Sequence, residues 1–165
     1  MTEQHPSMIR LGLIVATVSL VFDQLTKVWA ESALQGRQII LVENYADFTL
    51  VHNLGAAFGM FTDLAPFWRQ GLLISVAVVA SVIILWMLKS STSRYSALAL
   101  GMIMGGALGN LLDRVRLGWV IDFIHLHWHD LSWPVFNIAD TTITIGVGMI
   151  LLEGWVVGHK EHTSE

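Results

Sequence analysis

The sequence predicts an α-helical membrane protein, with four transmembrane helices and a small extramembrane β-hairpin on one side. Its 165 residues are 54% hydrophobic and only 13% charged, against about 25% charged in ordinary soluble domains. Four apolar runs, at roughly 8–29, 69–89, 95–114 and 137–158, approach the length that crosses a bilayer. Two mixed segments, roughly 30–68 and 115–136, are too polar to cross. The chain therefore predicts a single integral-membrane domain.

Charge and cysteine content exclude several classes of function. The formal net charge is -4 and no cluster of lysine and arginine occurs, so nucleic acid is not an expected partner. The chain has no cysteine, which excludes disulfides, thiolate metal sites and a cysteine nucleophile.

The first apolar run has two interpretations. A secretory signal peptide is one, because the run is short and Arg10 precedes it. Asp23 and Lys27 lie one helical turn apart, which favours an uncleaved helix that continues to the membrane interface. This pair is expected to be an ion pair at a helix end, with a direct role in chemistry as the alternative.

The segment after the first helix predicts a β-hairpin. Two β-rich runs, Gln38–Val42 and Asp47–His52, flank a short polar connection. Asn53–Gly59 follows and is rich in small residues, so its backbone can approach another group closely. The apolar stretch Phe58–Phe61 predicts a lid over a substrate, and Phe67 and Trp68 extend a surface that lies on the membrane.

The third apolar run carries glycines at four-residue spacing. Gly101, Gly105 and Gly109 place small residues on one helix face, which allows close helix packing. The run ends in three polar residues that adjoin one another on a helix: Asn110, Asp113 and Arg114. They either cap the helix at the interface or line a site.

The second extramembrane segment alternates like a β-strand. Asp122 falls on one face, and His125, His127 and His129 fall on the other. Three histidines on one face can bind zinc. No carboxylate or cysteine joins that face at ligand spacing, so we expect no metal and interpret the histidines as a polar, pH-responsive surface.

Two aspartates predict the chemistry. Asp122 and Asp140 each lie among apolar neighbours close to a membrane span. Two close carboxylates in such surroundings share a proton, because both cannot ionise cheaply. The ionised carboxylate can activate water while the protonated one polarises a carbonyl and protonates the leaving amine. No Gly-x-Ser-x-Gly elbow occurs, which disfavours a serine hydrolase.

Four spans bring many polar side chains to the same interface. The expected set is Asp23, Lys27, Asn53, Asn110, Asp113, Arg114, Asp122, Asn137 and Asp140. A small proton-coupled transporter component is the alternative, but it predicts carboxylates near the middle of the spans. A structural scaffold is a third hypothesis, and it does not explain the convergence.

Five sequence blocks, in order, resemble the lipoprotein signal peptidase (signal peptidase II) family. They are Asp23-Gln24-Leu25-Thr26-Lys27, Asn53-Leu54-Gly55-Ala56-Ala57-Phe58-Gly59, Gly105-Gly106-Ala107-Leu108-Gly109-Asn110-Leu111-Leu112-Asp113-Arg114, Val120-Ile121-Asp122-Phe123 and Phe136-Asn137-Ile138-Ala139-Asp140. The blocks extend from the first helix to the fourth. The run from His125 to His129 is not part of this family pattern.

The resemblance implies a bacterial inner-membrane aspartyl endopeptidase with four helices and a periplasmic β-cradle. It implies removal of the signal peptide from prolipoproteins, just before a cysteine that carries diacylglyceryl. Asp122 and Asp140 would be the catalytic dyad. The remaining site residues would bind substrate or support the dyad: Asp23, Lys27, Asn53, Gly55, Asn110, Asp113, Arg114, Asn137 and Ala139.

The remaining expectations concern partners and orientation. The partners are lipidated prolipoproteins and membrane lipids, no cofactor or metal is expected, and the protein is expected to be a monomer. The densest basic patch near membrane ends is the turn from Lys89 to Arg94, which places the termini in the cytoplasm and the site at the periplasmic face.

Overall fold

The computed structural model describes residues 6–55, 65–129 and 131–162. Four helices and one four-stranded sheet form these segments. In chain order the elements are α1 (Pro6–Ala33), β1 (Gln38–Val42), β2 (Ala46–Asn53), α2 (Pro66–Lys89), α3 (Arg94–Arg116), β3 (Val120–Trp128), β4 (Leu131–Ser132) and α4 (Ile138–His162).

All four helices are long and apolar enough to cross a membrane, as the sequence predicts. The candidate spans are Ser7–Ala33, Pro66–Lys89, Arg94–Arg116 and Ile138–Val156. Large apolar side chains on their outer faces are exposed; Trp86 and Leu151 are 68% and 69% exposed. Apolar surface of this kind is stable in lipid rather than in water. Each of the four helices extends up to about four residues beyond its predicted bounds at one end or both.

Helix α3 is the centre of the bundle and packs against the other three helices. Gly101 and Gly105 lie against the backbone of α1, where an added Cβ would stand 2.5 Å from the carbonyl oxygens of Gly12 and Ala16. Gly106 faces α4 at Ala139. The predicted close packing through small residues is therefore confirmed, and it brings the polar ends of α1, α3 and α4 together.

The strands form one antiparallel sheet in the order β1-β2-β3-β4. The predicted hairpin is confirmed, and its turn places Asn44 in the left-handed region at φ 64°, which asparagine tolerates well. The sequence did not predict that β3 pairs with β2 across about seventy residues of chain. That pairing sets Val51 opposite Asp122 and Asn53 opposite Val120.

An aromatic cluster fixes the sheet to the end of α1. The ring of Trp29 stands edge-on to Phe48 and to Phe123, with centroids 5.2 and 6.0 Å away. Phe123 is buried together with Ala30 and Leu34. Packing of this kind positions β3, the strand that carries Asp122, over the helix ends.

Candidate active site

A cavity of about 290 Å³ opens where the sheet meets the ends of α3 and α4. Asp122 and Asp140 both line it, so the structure brings the predicted pair to one cavity. Its other walls are Asn53, Asn110, Arg114, Val120, Trp133, Pro134, Val135, Phe136, Ile143 and Thr144. Polar side chains lie on the strand and α3 walls, and apolar side chains form much of the rest.

Asp122 is a buried carboxylate held by two amides. It is 2% exposed; Asn53 Nδ2 donates to Oδ2 at 2.9 Å and Asn137 Nδ2 donates to Oδ1 at 2.7 Å. Burial raises the pKa of Asp122 to about 7, and the nearby charge of Asp140 adds to the rise, although both amide hydrogen bonds oppose it. Such a carboxyl group can hold or release a proton near neutral pH.

Asp140 lies in the first turn of α4 and forms a reciprocal cap with Asn137. The backbone N–H of Asp140 donates to Asn137 Oδ1 at 2.9 Å, and the backbone N–H of Asn137 donates to Asp140 Oδ2 at 3.3 Å. Asn110 Nδ2 donates to Asp140 Oδ1 at 2.8 Å. The cap and the bond from α3 fix the direction of this carboxylate.

Asn137 connects the two carboxylates. Its side-chain Nδ2 donates to Asp122 Oδ1. The same nitrogen lies 3.2 Å from Asn110 Oδ1 and 3.2 Å from the backbone carbonyl oxygen of Ile121. Asn137 is fully buried, and its position just before α4 is the reason one residue reaches both β3 and α4.

A second pair of carboxylates lies deeper, around Lys27. Lys27 Nζ contacts Asp23 Oδ2 at 2.9 Å and Asp113 Oδ2 at 2.8 Å, and donates to Asn110 Oδ1 at 3.0 Å. All three charged side chains are at most 2% exposed. The expected ion pair of Asp23 and Lys27 is confirmed, but it is a buried three-residue cluster rather than a contact at an exposed helix end.

This ionic cluster (Asp23, Lys27 and Asp113) also anchors backbone near the cavity. Asp23 Oδ1 accepts from the N–H of Ala139 at 2.9 Å, and Asp113 Oδ2 accepts from the N–H of Ile121 at 3.2 Å. The cluster thus holds the backbone of α4 at the residue next to Asp140, and the backbone of β3 at the residue next to Asp122. Ala139 is fully buried.

Gln24 is a supporting residue that the sequence analysis did not single out. Its Nε2 donates to Asp113 Oδ1 at 2.9 Å and lies 3.2 Å from Asp23 Oδ2. Its place in the Asp23–Lys27 block, directly after Asp23, was the sequence feature that could have indicated this role. It completes the polar lining between α1 and α3.

Arg114 and Asn53 support the rim next to Gly55. Arg114 Nη2 donates to the carbonyl oxygen of Gly55 at 3.1 Å, and the Gly55 N–H donates to Asn53 Oδ1 at 3.0 Å. Gly55 is buried. The predicted lid at Phe58–Phe61 lies outside the described residues, whereas Phe67 and Trp68 are exposed, as expected for a membrane-facing surface.

The histidines differ from the expectation in two ways. Only His125 and His127 lie side by side, with stacked rings 4.9 Å apart. His129 follows the end of β3 in a left-handed conformation at φ 51° and packs against Trp128. The expectation that no carboxylate joins these residues is wrong, because strand pairing places Asp47 opposite His125.

Comparison with known proteins gives consistent results. Residues 15–156 match the family model described as "Signal peptidase (SPase) II". Relatives named lipoprotein signal peptidase include one from Teredinibacter turnerae, 42% identical over 138 residues, covering 83% of this chain and 82% of that protein. Another, from Pseudomonas syringae pv. tomato, is 42% identical over 157 residues, covering 92% and 90%.

A solved structure has the same fold. It is described as a bacterial membrane enzyme determined by the in meso method at 2.3 Å resolution. It superimposes with a TM-score of 0.79 at 26% identity, covering 93% of this chain and 91% of that one.

Proposed function

This chain belongs to the signal peptidase II family of bacterial membrane peptidases and has the function of a lipoprotein signal peptidase, and we propose that Asp122 and Asp140 are its catalytic dyad. The observation that carries the proposal is the convergence of these two carboxylates on one cavity at the end of the helix bundle. The reaction is hydrolysis of the peptide bond just before a diacylglyceryl-modified cysteine of a prolipoprotein.

The free enzyme holds one proton on the dyad, and we assign it to Asp122. Burial among apolar groups supports this, because it raises the pKa of Asp122 to about 7. We assign the role of general base to Asp140, whose carboxylate is oriented by hydrogen bonds from Asn110 and from the backbone of Asn137. The two similar groups thereby take different roles.

Hydrolysis proceeds by activated water without a covalent intermediate. The water oxygen attacks the scissile carbonyl carbon while Asp140 takes a proton from that water. Asp122 gives its proton to the carbonyl oxygen. The tetrahedral intermediate then collapses: the carbon–nitrogen bond breaks and the amine leaves with the proton that Asp140 took from water. The hydroxyl proton of the intermediate returns to Asp122, which restores the starting state.

The polar residues of the cavity position the substrate. Asn53 and Asn137 hold Asp122 in place, and Arg114 is fixed on the rim by the carbonyl of Gly55. The Arg114 guanidinium lies close enough to both aspartates to interact with their charges. It is suited to bind the substrate backbone and to steady negative charge on the carbonyl oxygen.

A site at the end of the helix bundle suits a lipid-bearing substrate. Its acyl chains remain beside the exposed apolar helix faces while the peptide enters the cavity. The apolar wall residues Phe136 and Ile143 lie on the same cavity as the dyad. We propose that the working unit is a monomer, because every residue of this mechanism comes from one chain.

Charge distribution supports cytoplasmic termini and a periplasmic site. Arg10, Lys89 and Arg94 are exposed at the end of the bundle away from the sheet. On the sheet side, Lys27 and Arg69 are buried within the protein. Arg37 and Arg116 are exposed on the sheet side. The small excess of exposed positive charge at the far end has the direction that the positive-inside rule expects of the cytoplasmic face.

The experiment is cleavage of a diacylglyceryl-modified prolipoprotein by purified protein in detergent, with the product ends identified by mass spectrometry. Asp122→Asn and Asp140→Asn each should lower turnover by at least about 10²–10⁴-fold, the usual contribution of a general acid or base. Glu43→Gln, at an exposed carboxylate on the hairpin turn, is the control and should cleave like the wild type. Near-normal turnover in either dyad variant, or cleavage elsewhere than before the lipidated cysteine, would refute the proposal.

A further inference from the structure

A second cluster of ionisable side chains lies on the sheet, formed by Asp47, His125 and His127 (the sheet cluster). Asp47 is on β2 directly opposite His125 on β3, and His127 follows two residues later on the same side. The mechanism of peptide cleavage uses none of these residues.

Both imidazoles converge on one oxygen of Asp47. His125 Nδ1 lies 2.9 Å from Asp47 Oδ2, and His127 Nε2 lies 3.2 Å from the same atom. One candidate donor atom from each residue lies within 4.8 Å of the others. Two ligand atoms on one tetrahedral zinc ion stand roughly 3.3 Å apart, given bonds of about 2.0–2.2 Å. Small side-chain adjustments would therefore place all three atoms on one metal.

The carboxylate of Asp47 is incompletely satisfied. The residue is 2% exposed, and the side chain of Gln38 on β1 lies close to its carboxylate, yet Oδ1 makes no hydrogen bond of good geometry. A buried carboxylate oxygen of this kind normally has a partner or a metal. The two histidine side chains are 21% and 24% exposed, so an ion can reach the cluster from solvent.

Ser132 on β4 supports one of the histidines in the orientation that metal binding requires. Its Oγ lies 2.8 Å from His125 Nε2, the ring nitrogen that faces away from Asp47. Metal-bound histidines usually donate their other ring N–H to an oxygen, which fixes the tautomer and leaves the first nitrogen free to bind.

We propose that Asp47, His125 and His127 form a Zn²⁺ site that joins β2 to β3. Two imidazoles and one carboxylate are a donor set that zinc accepts in tetrahedral geometry, with water as the fourth ligand. The ion stabilises the pairing of the two strands that also carry Asn53 and Asp122. It takes no part in cleavage, so the proposal does not depend on the proposed dyad.

The experiment is calorimetric titration with Zn²⁺ of full-length protein in detergent, freed of its purification tag and pretreated with a chelator. Wild type should bind one equivalent. Asp47→Asn and His127→Ala should each weaken binding at least tenfold. His129→Ala is the matched control, because His129 lies in the same segment but packs against Trp128; its affinity should stay within twofold of wild type. Equal weakening in all three variants, or no binding by wild type, would overturn the site.

A second measurement remains informative if a variant fails to fold. Co²⁺ added to the wild type should produce the intense visible absorption of a tetrahedral site at one equivalent, and Zn²⁺ should remove it. Zn²⁺ should also raise the thermal unfolding midpoint of wild type, because a ligand that binds only the folded state stabilises it. Absence of the tetrahedral spectrum would show that the histidines only share protons with Asp47, and would refute the proposal.

Discussion

Two pairs of aspartates lie at the same end of the helix bundle, and they differ in what stands between them. Asp23 and Asp113 share the ammonium group of Lys27, which contacts both at under 3 Å. Asp122 accepts from the side-chain amide of Asn137, Asp140 accepts from that of Asn110, and the two amides are hydrogen-bonded to each other. Among the described residues no cation lies within ion-pair distance of either aspartate, and Arg114 interacts with both at longer range.

The difference shows how one kind of side chain serves two purposes. The Lys27 ammonium group lies between the two inner carboxylates and compensates their burial. These carboxylates also accept hydrogen bonds from the backbone of α4 and β3. Amides donate hydrogen bonds to a carboxylate without neutralising its charge, which suits the proton transfer that we propose for the outer pair. We therefore propose a structural role for the inner pair and a reactive role for the outer pair.

Removing the cation should have the largest effect on stability. Lys27→Met leaves two buried carboxylates uncompensated, which should destabilise the protein by about 3–5 kcal/mol. The measurement is the thermal unfolding midpoint in detergent micelles. Lys89→Met is the matched control, since Lys89 is exposed at the end of α2, and should leave the midpoint nearly unchanged. Similar midpoints for the two variants would mean that the ionic cluster does not hold the site together.

A smaller effect is expected from crowding the inner pair. An added Cβ at Gly109 would stand 2.5 Å from Asp23 Oδ2, so Gly109→Ala should displace Asp23 from Ala139 and cost about 1–3 kcal/mol. In α4, Gly148 has nothing within 4 Å of an added Cβ. Gly148→Ala should therefore be neutral or stabilising by up to about 1 kcal/mol. The comparison fails if both substitutions shift the unfolding midpoint equally.

The smallest effect concerns the proton of the outer pair. Cleavage should follow a bell-shaped pH profile, and its alkaline limb should fall as pH rises through about 7, because Asp122 then loses the proton it donates. Asn53 donates a hydrogen bond that favours the ionised form. Asn53→Ala should raise the pKa of Asp122 and move the alkaline limb to higher pH by up to about one unit. An unchanged alkaline limb would show that ionisation of Asp122 does not cause the loss of cleavage at high pH.

Much of the fold could be predicted from the sequence because its signals are local. Apolar runs located the four helices, and the runs before and after Glu43 located the hairpin. The glycine spacing in α3 predicted close packing, and the topology then gathered polar residues at one end.

The remaining features depend on pairing between distant segments. No local pattern shows that β3 joins β2, so the approach of Asp47 to His125 could not be foreseen. Likewise, the spacing of Asp23 and Lys27 predicted an ion pair, but only helix packing adds Asp113 and Gln24 to it.

The most direct test compares four aspartates by the same substitution and two measurements. Asp23→Asn, Asp113→Asn, Asp122→Asn and Asp140→Asn would each be tested for cleavage of lipidated prolipoprotein and for thermal unfolding. We predict that the Asp122 and Asp140 variants lose turnover but remain stable, whereas the Asp23 and Asp113 variants unfold at lower temperature. Near-normal turnover in either outer variant, or undiminished stability in both inner variants, would contradict the division between a structural and a reactive pair.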